Sequence, residues 1–305
     1  MQRKPKTPLA EFIRIASWPT LLAGLFLYAL GAGIVHFRGE FFDWRNFWLG
    51  SAIIVMLLLS CSYLTEYYSR LQAPPPGRAN RQNHGDPEPD VSLARGAILL
   101  AAVTALTVGT VMTVLLITGK TMNLTVFLVL GIALVLVFAY AVPPFRLVYS
   151  GYGELVMAVL LTNLFPALGF LLQTGEMTNL LGMLTFPLTA LYLAMALATS
   201  LESYFSDIKE GRQNMMIRLG WQRGIVLHNV LIMAAYLLVG IGSVVGMAWV
   251  LTWPKLLTLP IAIFQIYQIW LIGRGAKPRW NLLKITAIAT FALSVYFQTF
   301  TLWIG

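Results

Sequence analysis

Long apolar runs recur along the whole chain, and short polar segments separate them. Each run is about 20 residues long, which is the length that an α-helix needs to cross the hydrocarbon core of a bilayer. The alternating apolar and polar pattern of membrane β-strands is missing, so a barrel is not expected. The pattern predicts nine transmembrane helices, over residues 18–36, 47–68, 95–118, 122–141, 153–174, 178–202, 225–251, 256–273 and 283–304.

The predicted fold class is all-α: one polytopic transmembrane domain over residues 1–305, built as a nine-helix bundle. The basic segment Met1–Arg14 precedes the first apolar run and imitates a secretory signal peptide. That run extends from Trp18 to Val35, which is longer than a signal core, and it has no clear small-residue cleavage site. We therefore interpret it as the first transmembrane helix, uncleaved.

The composition agrees with a lipid environment. Hydrophobic residues make up 58% of the chain and charged residues only 11%, against about 25% in soluble domains. The formal net charge of +9 raises the question of nucleic-acid binding, but the basic residues lie in short loops between apolar runs, so we expect no nucleic-acid partner. The only cysteine, Cys61, lies within an apolar run, so an intrachain disulfide and a thiolate metal cluster are excluded.

The distribution of cations predicts the orientation in the membrane. Seventeen of the 21 Lys and Arg residues fall on the side of the N-terminus, and four on the other side: Arg38, Arg45, Lys120 and Lys255. Cytoplasmic loops are enriched in Lys and Arg, so the N-terminus is predicted to be cytoplasmic, together with the two loops at residues 70–94 and 207–224. In a bacterium the membrane would be the inner, plasma membrane.

Ionisable residues near membrane depth are costly, so each of them needs an explanation. Glu66 precedes Arg70 by four residues, a spacing at which the two side chains neutralise each other on a helix. Glu202 and Asp207 close span six, where an anion meets the negative end of the helix dipole and needs a compensating cation. A metal ion, Lys209 or Arg212 could supply that charge; a solvated helix end is the alternative.

Two further segments carry polar groups in unusual places. Asn163 lies in the middle of a span and precedes Pro166, so its amide should face a partner or a cavity. Residues 140–154 read YAVPPFRLVYSGYGE, in which two prolines end span four and two glycines permit a close approach before span five. This segment predicts a rigid turn that presents polar side chains at the inner surface: Arg146, Tyr149 and Glu154.

These segments resemble the UbiA superfamily of intramembrane prenyltransferases. Members carry Y-x-x-P-P-x-x-L-x-x-x-G-x-G-E at the same turn, and GKRTLxVRLG where this chain has GRQNMMIRLG. The nine spans and the long loops after spans two and six are similar as well. The resemblance implies a membrane-embedded enzyme that moves a polyprenyl group from its diphosphate to an acceptor, commonly the aromatic precursor of a quinone.

The family holds Mg²⁺ against the diphosphate with two Asp-rich motifs, N-x-x-x-D-x-x-x-D after span two and D-x-x-x-D after span six. Here Asp207 matches the second aspartate of the second motif, while Glu66 and Glu202 lie one residue from motif positions. Other residue types stand at the remaining motif positions: Thr65, Ser69, Ala73 and Ser203. Acids in the first loop form a reserve: Asp86, Glu88 and Asp90.

The predicted site follows from these matches. The catalytic residues are Asp207, Glu202 and Glu66, of which Asp207 and Glu66 also serve as Mg²⁺ ligands. The diphosphate-binding residues are Arg70, Lys209 and Arg212. The acceptor or prenyl pocket is assigned Tyr140, Arg146, Tyr149, Glu154 and Asn163. The expected partners are a polyprenyl diphosphate, an aromatic acceptor and the lipid bilayer.

Two other hypotheses compete with this one. A non-catalytic relative that binds an isoprenoid or quinone, or that acts as a partner subunit, would carry the same resemblance. An unrelated transporter would show interrupted spans in two matching halves and paired intramembrane charges, and the sequence shows neither.

Overall fold

The computed structural model describes residues 8–72, 94–119 and 123–304. All regular structure in these ranges is helical. The helices are α1 (Pro8–Ile15), α2 (Trp18–Phe37), α3 (Trp44–Gln72), α4 (Arg95–Thr118), α5 (Leu124–Ala141), α6 (Gly153–Val159), α7 (Phe165–Thr174), α8 (Asn179–Ser200), α9 (Tyr204–Lys209), α10 (Met215–Leu219), α11 (Trp221–Val244), α12 (Trp249–Leu256), α13 (Leu259–Gly273) and α14 (Trp280–Ile304).

The helices confirm the predicted fold class. Eight helical segments of the described chain are long and apolar enough to span a membrane, and the bent pair α12 and α13 makes up to nine. One of the eight is the continuous segment Gly153–Thr174, in which α6 and α7 are joined by a π-helical turn, Leu160–Leu164. The protein is therefore an integral, multi-pass membrane protein made of α-helices.

Several predicted boundaries are wrong. The seventh span was predicted over residues 225–251, but α11 ends at Val244 and α12 is a separate helix that bends by 40° into α13. The bend lies between Leu256 and Leu259, where Pro260 at the start of α13 lacks the N–H that a continuous helix needs. Near the predicted loops, α3 extends through Gln72, and the segment 207–224 contains α10 and the start of α11. Most of the first loop, residues 73–93, lies outside the described residues.

Lys255 was counted with the cations of a surface loop, and the structure corrects that assignment. Its side chain is buried within α12, and its Nζ donates a hydrogen bond to the carbonyl oxygen of Leu184 in α8 at 3.3 Å. A buried ammonium group needs such an acceptor because it has given up its hydration. Lys255 is thus a packing residue between two helices.

Close backbone contact between α2 and α7 forms the centre of the bundle. A Cβ atom at Gly31 would lie 1.8 Å from the carbonyl oxygen of Pro166, and one at Gly169 would lie 2.2 Å from that of Tyr28. Small residues at these two positions let the helices approach closely, which is the main source of packing energy between helices in lipid. This contact fixes α2 beside the π-helical turn.

Candidate functional site

A cavity of about 440 Å³ lies where α3 and α5 end and α2 begins; we call it the polar cavity. Hydroxyl groups form much of its wall, and the rest is a mixture of charged and apolar side chains. The lining residues are Arg14, Ile15, Ser17, Thr20, Leu58, Cys61, Ser62, Thr65, Glu66, Tyr140 and Met157. The structure thus brings two predicted site residues, Glu66 and Tyr140, to one space.

An ion-pair cluster lies at the mouth of the polar cavity. Arg70 donates from Nε to Glu66 Oε1 and from Nη2 to Glu11 Oε1, both at 2.7 Å. Arg14 Nη2 lies 3.9 Å from the same Glu11 oxygen. The helical spacing predicted the contact of Glu66 with Arg70 correctly, whereas the participation of Glu11 and Arg14 depends on α1, which the sequence analysis did not predict.

Asp207 lies in a second polar cluster, after the end of α8. Its side chain is buried, and Oδ2 accepts hydrogen bonds from Ser203 Oγ at 2.6 Å and Asn214 Nδ2 at 3.1 Å. Its other oxygen, Oδ1, lies 3.9 Å from Arg212 Nη1, which is beyond hydrogen-bond distance. Arg212 is largely exposed and pairs more closely with Glu210. The predicted pairing of Asp207 with a cation is therefore loose, and its firm partners are neutral.

The proline-containing turn packs against the segment that carries α10. Glu154 Oε1 accepts a hydrogen bond from the Met215 backbone N–H at 3.2 Å, and Arg218 Nη1 donates to the Ser150 carbonyl at 3.0 Å. The guanidinium of Arg218 also lies 3.9 Å above the ring of Tyr152. Gly151 has a φ of 80°, and a Cβ there would lie 3.1 Å from the Asn214 carbonyl. The two segments that carry the family resemblance thus contact each other directly.

Asn214 connects this contact to Asp207. Its Oδ1 accepts a hydrogen bond from the backbone N–H of Ile217 at 2.8 Å and so caps α10, while its Nδ2 donates to Asp207. Elsewhere in the turn, Arg146 has a φ of 41° and stacks over Tyr149 at 4.4 Å. Glu154 is the predicted turn residue that contacts the segment around α10.

A second, largely apolar space of about 590 Å³ runs between α2, α8 and α14; we call it the apolar groove. Thr20 lines both spaces, so the groove adjoins the polar cavity. Tyr140 lies in the wall of the cavity, and Tyr192 lies in the wall of the groove. The combined space has a polar end and a long apolar end.

Comparison with known proteins identifies the family. The model of the UbiA prenyltransferase family matches residues 87–291, about two thirds of the chain. The chain belongs to the UbiA prenyltransferase family. It is 30% identical over 151 residues to a 2-carboxy-1,4-naphthoquinone phytyltransferase from Synechocystis sp., a match that covers 48% of this chain and only 47%, about half, of that relative.

Solved UbiA structures share the fold. An apo UbiA homologue from Aeropyrum pernix K1 superposes with a TM-score of 0.64 at 14% identity and covers 90% of this chain and 94% of its own. A UbiA homologue from Archaeoglobus fulgidus bound to DMAPP and Mg²⁺ gives a TM-score of 0.58 at 16% identity, with coverage of 96% and 99%. At these identities the similarity establishes the fold of this UbiA family member.

The UbiA motif positions do not make a preformed metal site in the described part of the chain. No three His, Cys, Asp or Glu side chains in these ranges lie close enough to hold an ion together. Asp207 and Glu66, the predicted Mg²⁺ ligands, belong to separate clusters. Mg²⁺ is often held by one or two carboxylates together with phosphate oxygens of the substrate and water. The donor set fits this mode, since Glu66 lines the polar cavity and Oδ1 of Asp207 has no donor within hydrogen-bond distance in the described chain.

Of the predicted site residues, only Glu66 and Tyr140 line either of these two spaces. Glu202 and Asn163 have other partners. Glu202 forms an ion pair with Lys284 of α14. Asn163 donates to Thr189 Oγ1 of α8 at 2.9 Å and to Thr162 Oγ1 at 3.1 Å, so its amide supports the π-helical turn as a packing residue. The three reserve acids of the first loop, Asp86, Glu88 and Asp90, lie outside the described residues.

Sequence reasoning missed residues from four elements of this UbiA site. Glu11 and Arg14 belong to the site because α1 packs beside the polar cavity. The sequence feature that could have indicated them is a single acid within a basic N-terminal segment. Asn214 lies inside the matched RLG segment, but nothing in the pattern indicates that its amide contacts Asp207. Thr20 and Tyr192 are single polar groups in apolar spans, and only the helix packing shows that they face a cavity.

Proposed function

We propose that this protein is a membrane-embedded prenyltransferase that moves a polyprenyl group from its diphosphate to an aromatic quinone precursor. One observation carries the proposal: a polar cavity with cationic and hydroxyl groups adjoins an apolar groove through Thr20. A prenyl diphosphate has the same division into a charged head and a long apolar tail. The naphthoquinone phytyltransferase relative supports the choice of an aromatic acceptor.

On this proposal the diphosphate lies at the mouth of the polar cavity. Arg70 is fixed there by two carboxylates, and guanidinium groups bind phosphate oxygens in the same bidentate way as they bind carboxylates. Lys209 and Arg212 are exposed on the segment after α8, and we propose that they also bind the diphosphate. As the diphosphate leaves, negative charge develops on it, and fixed cations stabilise that charge most where water is excluded.

Magnesium would be held by Asp207 and Glu66 together with the diphosphate, as the DMAPP- and Mg²⁺-bound homologue suggests for the family. A bound Mg²⁺ neutralises charge on phosphate oxygens and orients the leaving group. Because the two acids are far from forming a cage, we expect the metal and the diphosphate to bind jointly. Isothermal titration with Mg²⁺ alone should show weak binding, and inorganic pyrophosphate should strengthen it.

Transfer breaks the bond between the prenyl C1 carbon and a diphosphate oxygen and forms a bond from C1 to a ring carbon of the acceptor. The ring carbon then loses its proton. Glu154 is the residue that we propose to accept it, since Oε1 is held by the Met215 N–H and Oε2 is buried with no hydrogen-bond partner among the described residues. Tyr140 lies nearby on the cavity side and would contact the acceptor.

The non-catalytic alternative has its own supporting observation. The firm hydrogen-bond partners of Asp207 are Ser203 and Asn214, which is what a purely structural role for that carboxylate would require. A protein of this kind would bind an isoprenoid or quinone in the same two spaces without transferring the prenyl group. Turnover therefore separates the two functions, and binding of an isoprenoid does not.

The experiment is prenyl transfer by the purified full-length protein in lipid nanodiscs. Radiolabelled prenyl diphosphates of several lengths are offered with a panel of aromatic quinone precursors, with and without Mg²⁺. We expect a prenylated aromatic product, faster with Mg²⁺. Binding of the labelled diphosphate without any product across the panel would favour the non-catalytic function, and absence of both would refute the proposal.

We further propose that residues 1–305 form one domain, with the N-terminus and the segments 70–94 and 207–224 on the cytoplasmic side. The cation distribution supports this orientation. The hydrogen bonds of Met215 to Glu154 and of Arg218 to Ser150 support it as well, because they join the segment around α10 to the turn before α6.

A further inference from the structure

Glu11 is the central anion of the cluster at the mouth of the polar cavity. Its side chain is only 10% exposed, and it accepts a hydrogen bond from Arg70 Nη2 at 2.7 Å. Arg14 Nη2 lies 3.9 Å from the same oxygen, an ion pair without a hydrogen bond. Arg70 comes from α3, whereas Glu11 and Arg14 both come from α1. A carboxylate with so little access to water depends on these partners for its stabilisation.

The helix α1 forms part of the wall of the polar cavity. Arg14 and Ile15 line the cavity, together with Ser17, which follows the helix. Ser17 has φ 48° and ψ 62°, a left-handed conformation that is uncommon for serine, so the chain turns sharply between α1 and α2. Among the described residues, α1 contacts α3 through the ring of Phe12 against Tyr63 and the hydrogen bond of Arg70 to Glu11.

The arrangement places a carboxylate where a phosphate group would bind. Guanidinium groups recognise carboxylate and phosphate oxygens with the same donor geometry, and a diphosphate carries more negative charge than a single carboxylate. Arg14 is 63% exposed and lies beside the cavity, so a ligand in the cavity can reach it. Glu11 and a diphosphate would therefore compete for the same two guanidinium groups.

We propose that Arg14 is a further diphosphate-binding residue, and that Glu11 is an internal counterion which occupies Arg14 and Arg70 until the diphosphate replaces it. This inference rests on the proposed function, because it assumes that the polar cavity receives a diphosphate. When the oxygens of the ligand take over Arg70, α1 loses its ion-pair attachment and the wall of the cavity opens. Only ion pairs are exchanged, and no covalent bond changes.

The first test measures binding of inorganic pyrophosphate to the full-length protein by isothermal titration calorimetry. Glu11→Gln removes the competing charge but keeps the size of the side chain, so binding should become about tenfold tighter, the value of one charged hydrogen bond. Arg14→Gln should weaken binding about tenfold for the same reason. Glu176→Gln is the matched control: an exposed acid between α7 and α8, it should leave the affinity unchanged.

The second test uses Cys61 as a reporter that needs no engineering. It is the only cysteine, it is buried, and it lines the cavity beneath α1. If Glu11 holds α1 closed, Glu11→Gln should raise the rate of Cys61 modification by N-ethylmaleimide several-fold over the wild type. The Glu176→Gln control should react at the wild-type rate.

Arg70→Gln distinguishes failure of this inference from failure of the proposed function. If wild-type protein binds pyrophosphate and Arg70→Gln weakens it, while Glu11→Gln changes neither the affinity nor the Cys61 rate, the counterion role is refuted and the diphosphate site stands. Unchanged affinity in Arg14→Gln refutes the role of Arg14. If the wild type does not bind pyrophosphate with or without Mg²⁺, both the inference and the proposed site fall.

Discussion

Replacing Asp207 by asparagine separates the charge of this side chain from its hydrogen bonds. Both firm bonds of the carboxylate reach one oxygen: Ser203 Oγ at 2.6 Å and Asn214 Nδ2 at 3.1 Å from Oδ2. An asparagine can present its single amide oxygen to the same two donors. The variant therefore keeps the geometry of the cluster and loses only the negative charge.

The expected losses of stability and of activity differ in size. Hydrogen bonds to a charged group are about twice as strong as neutral ones, a difference of about 1 kcal/mol each, so the two bonds together cost about 2 kcal/mol of unfolding free energy. If the carboxylate acts on the diphosphate and its Mg²⁺, the loss of transition-state stabilisation is about 3 kcal/mol, or about a hundredfold in kcat/KM. The variant should thus fold and fail to turn over.

The assay is prenyl transfer in nanodiscs, with thermal unfolding measured on the same samples. Ser203→Ala removes one hydrogen bond and keeps the charge, so it should lose stability and retain most of its activity. Glu210→Gln is the charge control, because Glu210 is an exposed partner of Arg212 and such pairs contribute about 0–1 kcal/mol. If Asp207→Asn keeps kcat/KM within about threefold of the wild type, the assignment of Asp207 to the Mg²⁺ and diphosphate site is refuted. An equal loss of kcat/KM in Glu210→Gln would refute it as well.

Three other variants test the remaining parts of the site. Glu154→Gln keeps the contact with the Met215 N–H but cannot take a proton, so kcat should fall about a hundredfold or more while the affinity for pyrophosphate stays unchanged. Equal losses in kcat and in affinity would indicate a structural role for Glu154. Ala23→Trp fills the apolar groove, so kcat/KM for long prenyl diphosphates should fall about tenfold or more relative to kcat/KM for dimethylallyl diphosphate. An equal fall for short and long substrates would indicate that the prenyl chain binds elsewhere. In a Cys61→Ala background, a cysteine at Gln222 should react with an impermeant maleimide from the cytoplasmic side and one at Asn123 from the other; labelling of both from one side would refute the topology.

The fold could be predicted from the sequence because the bilayer imposes a simple rule on helix length. Apolar runs of about 20 residues have few structural alternatives in lipid, so the spans and their order follow directly. The error at 225–251 has a physical reason: hydropathy continues through Val244 and Trp249, and only the backbone break between α11 and α12 separates them. Hydropathy records the membrane environment and contains little information on where a helix turns within it.

The candidate site was only partly predictable, because its contacts join residues far apart in the chain. The pair of Glu66 with Arg70 is local, and helical spacing predicts it. Glu202 shows the limit of this reasoning: proximity to Asp207 in sequence favoured a shared site, yet its side chain pairs with Lys284 on α14. The contact of Glu154 with Met215 required knowledge of how the turn before α6 packs on α10.

We propose that the charge balance of the clusters compensates for the motif aspartates that this UbiA family member lacks. At the mouth of the polar cavity, Arg70 pairs with Glu11 and Glu66, and Arg14 lies 3.9 Å from Glu11, so two cations and two anions form one cluster. A motif rich in aspartate repels a diphosphate until metal ions neutralise it, since like charges at close range are unfavourable. Here guanidinium groups supply part of that neutralisation, and an incoming diphosphate can exchange partners with a carboxylate. On this proposal the site needs less positive charge from metal ions, because fewer aspartates have to be neutralised. The guanidinium groups still supply positive charge to the departing diphosphate.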